Sequence, residues 1–128
     1  MNIAFAGTGF ISKIHAQAAR NLGLALTAVV NHRPESRGEF AARFAIARQY
    51  DTVEALLQDG GVDALVVSTP NYLHAPQTIA ALNAGVHVMV EKPMAMNAAE
   101  AAQMNAVAAA SGAGPKSRLR ASRAKPKD

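Results

Sequence analysis

The run Asn2-Ile3-Ala4-Phe5-Ala6-Gly7-Thr8-Gly9-Phe10-Ile11-Ser12 decides how the chain is to be read. Strand-forming, mostly apolar residues pass without a spacer into a turn built on two glycines. From Ile11 onward, apolar residues return at Ile14, Ala18 and Leu22 with helical spacing. A strand, a glycine turn and a helix in immediate succession open a βαβ unit. In that setting Gly7 permits a tight turn, and Gly9 lets the backbone approach a bound diphosphate, which helix-start amides and the positive end of the helix dipole would hold. Candidate contacts are Gly7, Thr8, Gly9, Phe10 and Ile11. Ser12 stands where the usual pattern has a third glycine, and it is small enough to keep the helix close to the strand. The alternative is a glycine-rich connection that binds nothing.

Working outward, the alternation repeats. Ile3 to Ala6, Leu26 to Val30, Ala64 to Val67 and Val86 to Val90 are short apolar runs, and a weaker one lies at Ala47 to Tyr50. They show no polar alternation, which is the pattern of strands covered on both faces in a parallel sheet. Between them, Phe40 with Phe44, Val53 with Leu56 and Leu57, and Ile79 with Leu82 mark buried helix faces, as the set at Ile11 does. Asp51 with Glu54, and Asn97 with Glu100, are placed as capping boxes, and Gly23 and Gly85 as helix stops. The order βαβαβαβαβα predicts an α/β fold: a doubly wound parallel sheet of five strands, the Rossmann arrangement, with ligands at the carboxyl ends of the strands.

A length of 128 residues fits one core. Half the residues are hydrophobic but only 5% are aromatic, so packing on small side chains is expected. The absence of cysteine excludes disulfides and thiolate metal sites and fits a reducing compartment. No signal-like start and no apolar run of membrane length is present, so the expectation is a cytoplasmic chain without membrane contact. Charge is uneven: residues 1–112 carry seven Lys and Arg against eight Asp and Glu, whereas residues 113–128 carry six against one. The basic character therefore belongs to the tail, and specific nucleic-acid binding by the folded part is not expected. Residues 1–111 are read as the dinucleotide-binding domain. Residues 112–128 are read as a basic disordered tail with no sixth strand.

The second apolar run ends at Val30-Asn31-His32-Arg33, where an acid would bind the adenosine ribose hydroxyls of NAD. None is there. His32 and Arg33 can instead meet a 2′-phosphate, which places NADP ahead of NAD as the cofactor. A solvated arginine before Pro34 is the alternative.

Ser68-Thr69-Pro70-Asn71-Tyr72-Leu73-His74 and Gly85-Val86-His87-Val88-Met89-Val90-Glu91-Lys92-Pro93 add two further motifs. With the Gly7 loop and His15, they make residues 2–111 resemble the amino-terminal domain of the glucose-fructose oxidoreductase / inositol 2-dehydrogenase (Gfo/Idh/MocA) family. The resemblance implies that Lys92 is the catalytic residue, near the nicotinamide and the substrate hydroxyl, with Glu91 and Pro93 beside it in the cofactor cleft. It implies that Ser68, Thr69, Pro70 and Asn71 turn beneath the nicotinamide ribose, and that His74 lies close to it. Read from the residues alone, Thr-Pro-Asn is ordinary turn and cap chemistry, and a strand-end lysine is a solvated charge. His15 and His87 are read as packing or hydrogen-bonding residues, and Met94, Met96 and Met104 as helix packing rather than metal ligands.

The resemblance also implies a sixth strand and a large second domain, and neither is legible after residue 111. A sugar- or polyol-like substrate is therefore expected to be oriented only if a second domain or partner chain completes the cleft. Weak turnover alone and self-association through uncovered apolar surface are the expectations, with the tail read as a reading frame entered out of phase. Two other classes stay open: a non-catalytic nucleotide-binding module, and a small interaction protein whose basic tail contacts nucleic acid.

Overall fold

The computed structural model describes residues 1–90, 106–107 and 115–116. Its elements are β1 (Asn2–Ala6), α1 (Phe10–Asn21), β2 (Ala25–Val30), α2 (Pro34–Phe44), β3 (Arg48–Tyr50), α3 (Val53–Asp59), β4 (Ala64–Val67), α4 (Asn71–Asn83), β5 (His87–Val90) and β6 (Pro115–Lys116). Every strand pairing is parallel, and the order across the sheet is β3-β2-β1-β4-β5-β6. The chain thus builds outward from β1 in one direction, then returns to the other side of β1 to start again at β4. The crevice at that reversal is where doubly wound sheets bind ligands.

The five expected strands are present. A two-residue pairing of Pro115 and Lys116 with Val88 and Met89 extends the sheet beyond β5, where the reading of the tail expected no strand. Composition is a poor guide at an edge, because the free backbone groups of an outer strand accept a partner whatever its side chains. Proline is tolerated as the first residue of such an edge strand. Of the helix expected over Asn97 to Ala110, only Ala106 and Val107 are described; both are helical, and Val107 packs against the core.

Alternate strand residues feed two cores. Ala4, Ala6, Val30, Leu65, Val67, Val88 and Val90 face Val53, Leu56, Ala81 and Leu82 of α3 and α4. Ile3, Phe5, Val29, Val66 and Met89 face Ala16, Ala19, Phe40, Ala41 and Phe44 of α1 and α2. Small-residue packing describes α1 but not its neighbour: Phe40 sits 5.8 Å from Phe5 and 4.9 Å from Phe44 between ring centroids. Three of the four phenylalanines thus form the centre of one core.

The expected buried face of α1 is corrected. Ile11, Ile14 and Leu22 are 42%, 49% and 61% exposed, and the helix instead buries Ser12, Ala16 and Ala19 against the sheet. Close approach to β1 selects the small residues, so the large apolar ones point outward. The cap of α3 is also shifted by one residue. Thr52, not Asp51, is the N-cap, and its hydroxyl accepts from the Ala55 amide at 3.1 Å.

Gly23 and Gly85 end α1 and α4 as expected, each in the left-handed region with paired bonds back into the last turn. Ala45 ends α2 the same way, with φ 55 and the Ile46 amide donating to the Ala41 carbonyl at 2.8 Å. An L-residue pays about 1–2 kcal/mol for that conformation, while glycine costs about 0.4–1 kcal/mol through the unfolded chain. Ala45→Gly should therefore stabilise the protein by about 0.5–1 kcal/mol in urea unfolding. Lower stability in that variant would show that Ala45 is not left-handed in solution.

Candidate cofactor groove

A groove of about 730 Å³ opens at the carboxyl ends of β1, β2 and β4. Gly7, Thr8 and Gly9 form its floor, Asn31, His32 and residues 51–54 one wall, and Ser68, Thr69, Pro70, Leu73, Pro76 and Gln77 the other.

Hydrogen bonds past the strand ends gather this floor. The Gly7 amide donates to the Val30 carbonyl at 3.0 Å, and the Ser68 amide to the Ala6 carbonyl at 2.9 Å. Gly7 has φ 105, and a Cβ on it would lie 2.7 Å from the Ser68 carbonyl oxygen. Only glycine lets the loops after β1 and β4 touch in this way. At Gly9, the N-cap of α1, an added Cβ would meet nothing within 4 Å, so the floor is open to the groove there. Ser12 is buried, and its hydroxyl donates to the Gly7 carbonyl at 2.6 Å.

Asn31 ties the floor to the first wall. Its Nδ2 donates to Thr8 Oγ1 at 3.0 Å, and its Oδ1 accepts from the Arg33 amide at 2.7 Å. Arg37 braces the same wall: it donates to the Asn31 carbonyl at 3.0 Å and to Gln49 Oε1 at 3.2 Å, and it pairs with the Asp51 carboxylate. Asp51 is well exposed, so the pair adds little stability; what it does is offset an acidic charge on the groove wall.

On the second wall the Thr69 hydroxyl donates to Gln77 Oε1, joining the turn to α4. His74 Nε2 lies 2.8 Å from the Thr69 carbonyl oxygen. At 1% exposure His74 is buried behind the Thr69 turn and is not among the residues lining the groove.

Of the other candidate residues, Thr8, His32, Ser68, Thr69 and Pro70 line the groove with Gly7 and Gly9. Phe10, Ile11, Arg33 and Asn71 do not. Phe10 is 75% exposed, and Arg33 caps α2 through its backbone while its side chain is exposed. Glu91, Lys92 and Pro93 lie outside the described residues, as do Met94, Met96 and Met104. Residues 51–54 and Leu73, Pro76 and Gln77 were missed, because their place depends on how distant elements stack. Pro76 inside α4 was the available signal, since an interior helical proline asks for a local reason.

The floor suits a diphosphate. Among the described residues nothing accepts from the amides of Thr8 and Gly9, and the first turn of α1 has no acid. Both features, with the helix dipole behind them, favour an anion. Ser68 Oγ is buried beside this floor without a hydrogen-bond partner, a polar atom left for a ligand to satisfy.

Comparison with known proteins agrees with this geometry. The family described as "Oxidoreductase family, NAD-binding Rossmann fold" (Gfo/Idh/MocA) matches residues 1–114. The chain is 38% identical over 103 residues to 4-carboxy-2-hydroxymuconate-6-semialdehyde dehydrogenase of a Sphingobium strain, covering 79% of this chain and 32% of that protein. It is 33% identical to the scyllo-inositol 2-dehydrogenase (NADP(+)) IolU of Bacillus subtilis over 88% of this chain and 34% of the relative. The crystal structure of the WlbA dehydrogenase from Bordetella pertussis, in complex with NADH and UDP-GlcNAcA, superposes with a TM-score of 0.85 at 31% identity, covering 89% of this chain and 35% of that one. The chain thus spans about a third of the length of these relatives. Among the described residues no helix is long and apolar enough to cross a membrane. A glycine floor at the sheet's reversal and a family match over nearly the whole chain lead to one assignment: this chain belongs to the Gfo/Idh/MocA oxidoreductases and is built on their NAD-binding Rossmann fold.

Proposed function

We propose that this chain is the dinucleotide half of an oxidoreductase cleft, that it accepts NADP ahead of NAD, and that a second domain or partner chain supplies the substrate side. The observation that carries the reading is the floor at Thr8 and Gly9, whose amides have no acceptor among the described residues, beside a neutral residue, Asn31, that follows β2. A carboxylate at that position would favour ribose hydroxyls and repel a 2′-phosphate; asparagine does not repel it, and His32 lines the groove next to it. Arg33, the other residue expected to select the phosphate, lies outside the groove lining. Naming of the Bacillus subtilis relative as an NADP(+) enzyme supports the same preference.

In this reading Asn31, His32 and Thr52 flank the adenosine end, while Ser68, Thr69 and Pro70 lie under the nicotinamide end. The bound cofactor supplies a hydride acceptor or donor. β5 ends at Val90, level with Val67 of β4. We assign Lys92 of the following Glu91-Lys92-Pro93 run to polarise the substrate oxygen or move its proton, with Glu91 and Pro93 placing it. The name of the Bacillus subtilis relative, a scyllo-inositol 2-dehydrogenase, supports a sugar- or polyol-like substrate. Calorimetric titration of the purified chain should give binding of both cofactors, tighter for NADP, and Lys92→Ala should leave that binding within about twofold. Tighter NAD binding would remove the NADP preference, and no binding of either would remove the whole reading.

A further inference from the structure

We infer that Ser12 is a positioning residue that aims the Thr8 amide into the cofactor groove; this rests on the dinucleotide reading above. In a trans peptide the carbonyl of one residue and the N–H of the next point in opposite directions. The Gly7 carbonyl is held by the Ser12 hydroxyl at 2.6 Å, on the buried side of the loop facing α1. The Thr8 N–H in the same peptide is therefore turned away from α1, toward the floor that Gly7, Thr8 and Gly9 give the groove. No described residue accepts from it.

Turning the Gly7–Thr8 peptide changes ψ of Gly7 and φ of Thr8; glycine restricts the first little, so the bond from the Ser12 hydroxyl is what holds this carbonyl in place. Two other bonds fix the neighbouring groups but not this carbonyl. The Gly7 amide is held by Val30, and the Thr8 hydroxyl accepts from Asn31. Ser12 thus does more than replace a small residue at the helix-to-strand contact. It sets the direction of one donor in the anion cradle, so its effect should fall on diphosphate-bearing ligands alone.

The test is binding of ADP-ribose and of adenosine to the full chain and to Ser12→Ala and Ser12→Gly, followed by NMR titration, with urea unfolding measured in parallel. Both variants should weaken ADP-ribose about tenfold and leave adenosine within about twofold, as expected for one charge-assisted hydrogen bond. The Thr8 amide resonance should broaden or shift in the unliganded variants. Equal weakening of both ligands, or none of either, would overturn the assignment and leave Ser12 a packing residue. Should the parent chain fail to bind ADP-ribose at all, the dinucleotide reading itself falls. A variant that unfolds is read through the other, since glycine at this position fits the same space.

Discussion

Replacing Gly7 by alanine is expected to lower the free energy of unfolding by about 3 kcal/mol and to abolish dinucleotide binding in whatever protein remains folded. Two costs add. The backbone at φ 105 lies outside the regions open to an L-residue, and the new Cβ would sit 2.7 Å from the Ser68 carbonyl oxygen and 2.8 Å from its carbon. Both atoms are backbone, so no rotamer change relieves the contact. Relief requires moving the β1 loop off the β4 loop, which breaks the Gly7 to Val30 bond or the Ser68 to Ala6 bond at the centre of the sheet. That movement also displaces the Thr8 and Gly9 amides from the groove floor. Gly9→Ala is the contrast, because its Cβ would meet no atom of the protein within 4 Å. Urea unfolding with a parallel cofactor titration separates the two: the Gly7 variant should lose stability and binding together, the Gly9 variant binding with little stability. Equal stability in Gly7→Ala and the parent would mean that the loops do not touch in solution.

That contrast also explains which parts of the fold were legible in the sequence. Strand positions were, because continuous apolar runs such as Ala64–Val67 have one stable use in a chain of this size, a strand covered on both faces. The glycine stops at Gly23 and Gly85 were, because their chemistry is local. The face of α1 was not. Periodicity identifies an apolar stripe at Ile11, Ile14 and Leu22 but says nothing about which side of the helix meets the sheet. The answer came from the distance of approach: Ser12, Ala16 and Ala19 let the helix lie close to β1.

The groove divides along the same line. Its floor is contiguous in sequence and could be read from Gly7 to Gly9. Its walls are assembled from residues 51–54 and 68–70 with Leu73, Pro76 and Gln77, which only the stacking of α3 and α4 brings together. His74 marks the limit most sharply. The resemblance pointed to it, but its burial and its 2.8 Å contact with the Thr69 carbonyl oxygen depend on the rotation of α4, which no local pattern fixes. Asp51 is similar: by sequence it is placed as a cap, but it pairs with Arg37, which also holds the Asn31 carbonyl, while Thr52 caps α3.

Asn31→Asp is expected to invert cofactor choice, changing the ratio of NADP to NAD affinity by about a hundredfold in favour of NAD. The substitution is nearly isosteric, and the wall can keep its bonds. One carboxylate oxygen can still accept from the Arg33 amide, and the other can accept from the Thr8 hydroxyl once that group donates instead of accepting. Structure should therefore change little while the charge changes by one unit. A carboxylate at the end of β2 accepts hydrogen bonds from ribose hydroxyls and repels a 2′-phosphate, and like charges brought together away from bulk water cost several kcal/mol. Arg37 weakens the repulsion only in part, since it is already engaged with Asp51 as well as the Asn31 carbonyl. Calorimetric titration of both cofactors at two ionic strengths measures the effect: the loss of NADP affinity should shrink as salt rises, whereas the gain for NAD, which comes from hydrogen bonds, should not. An unchanged ratio would place the adenosine ribose away from Asn31 and overturn its role in cofactor choice.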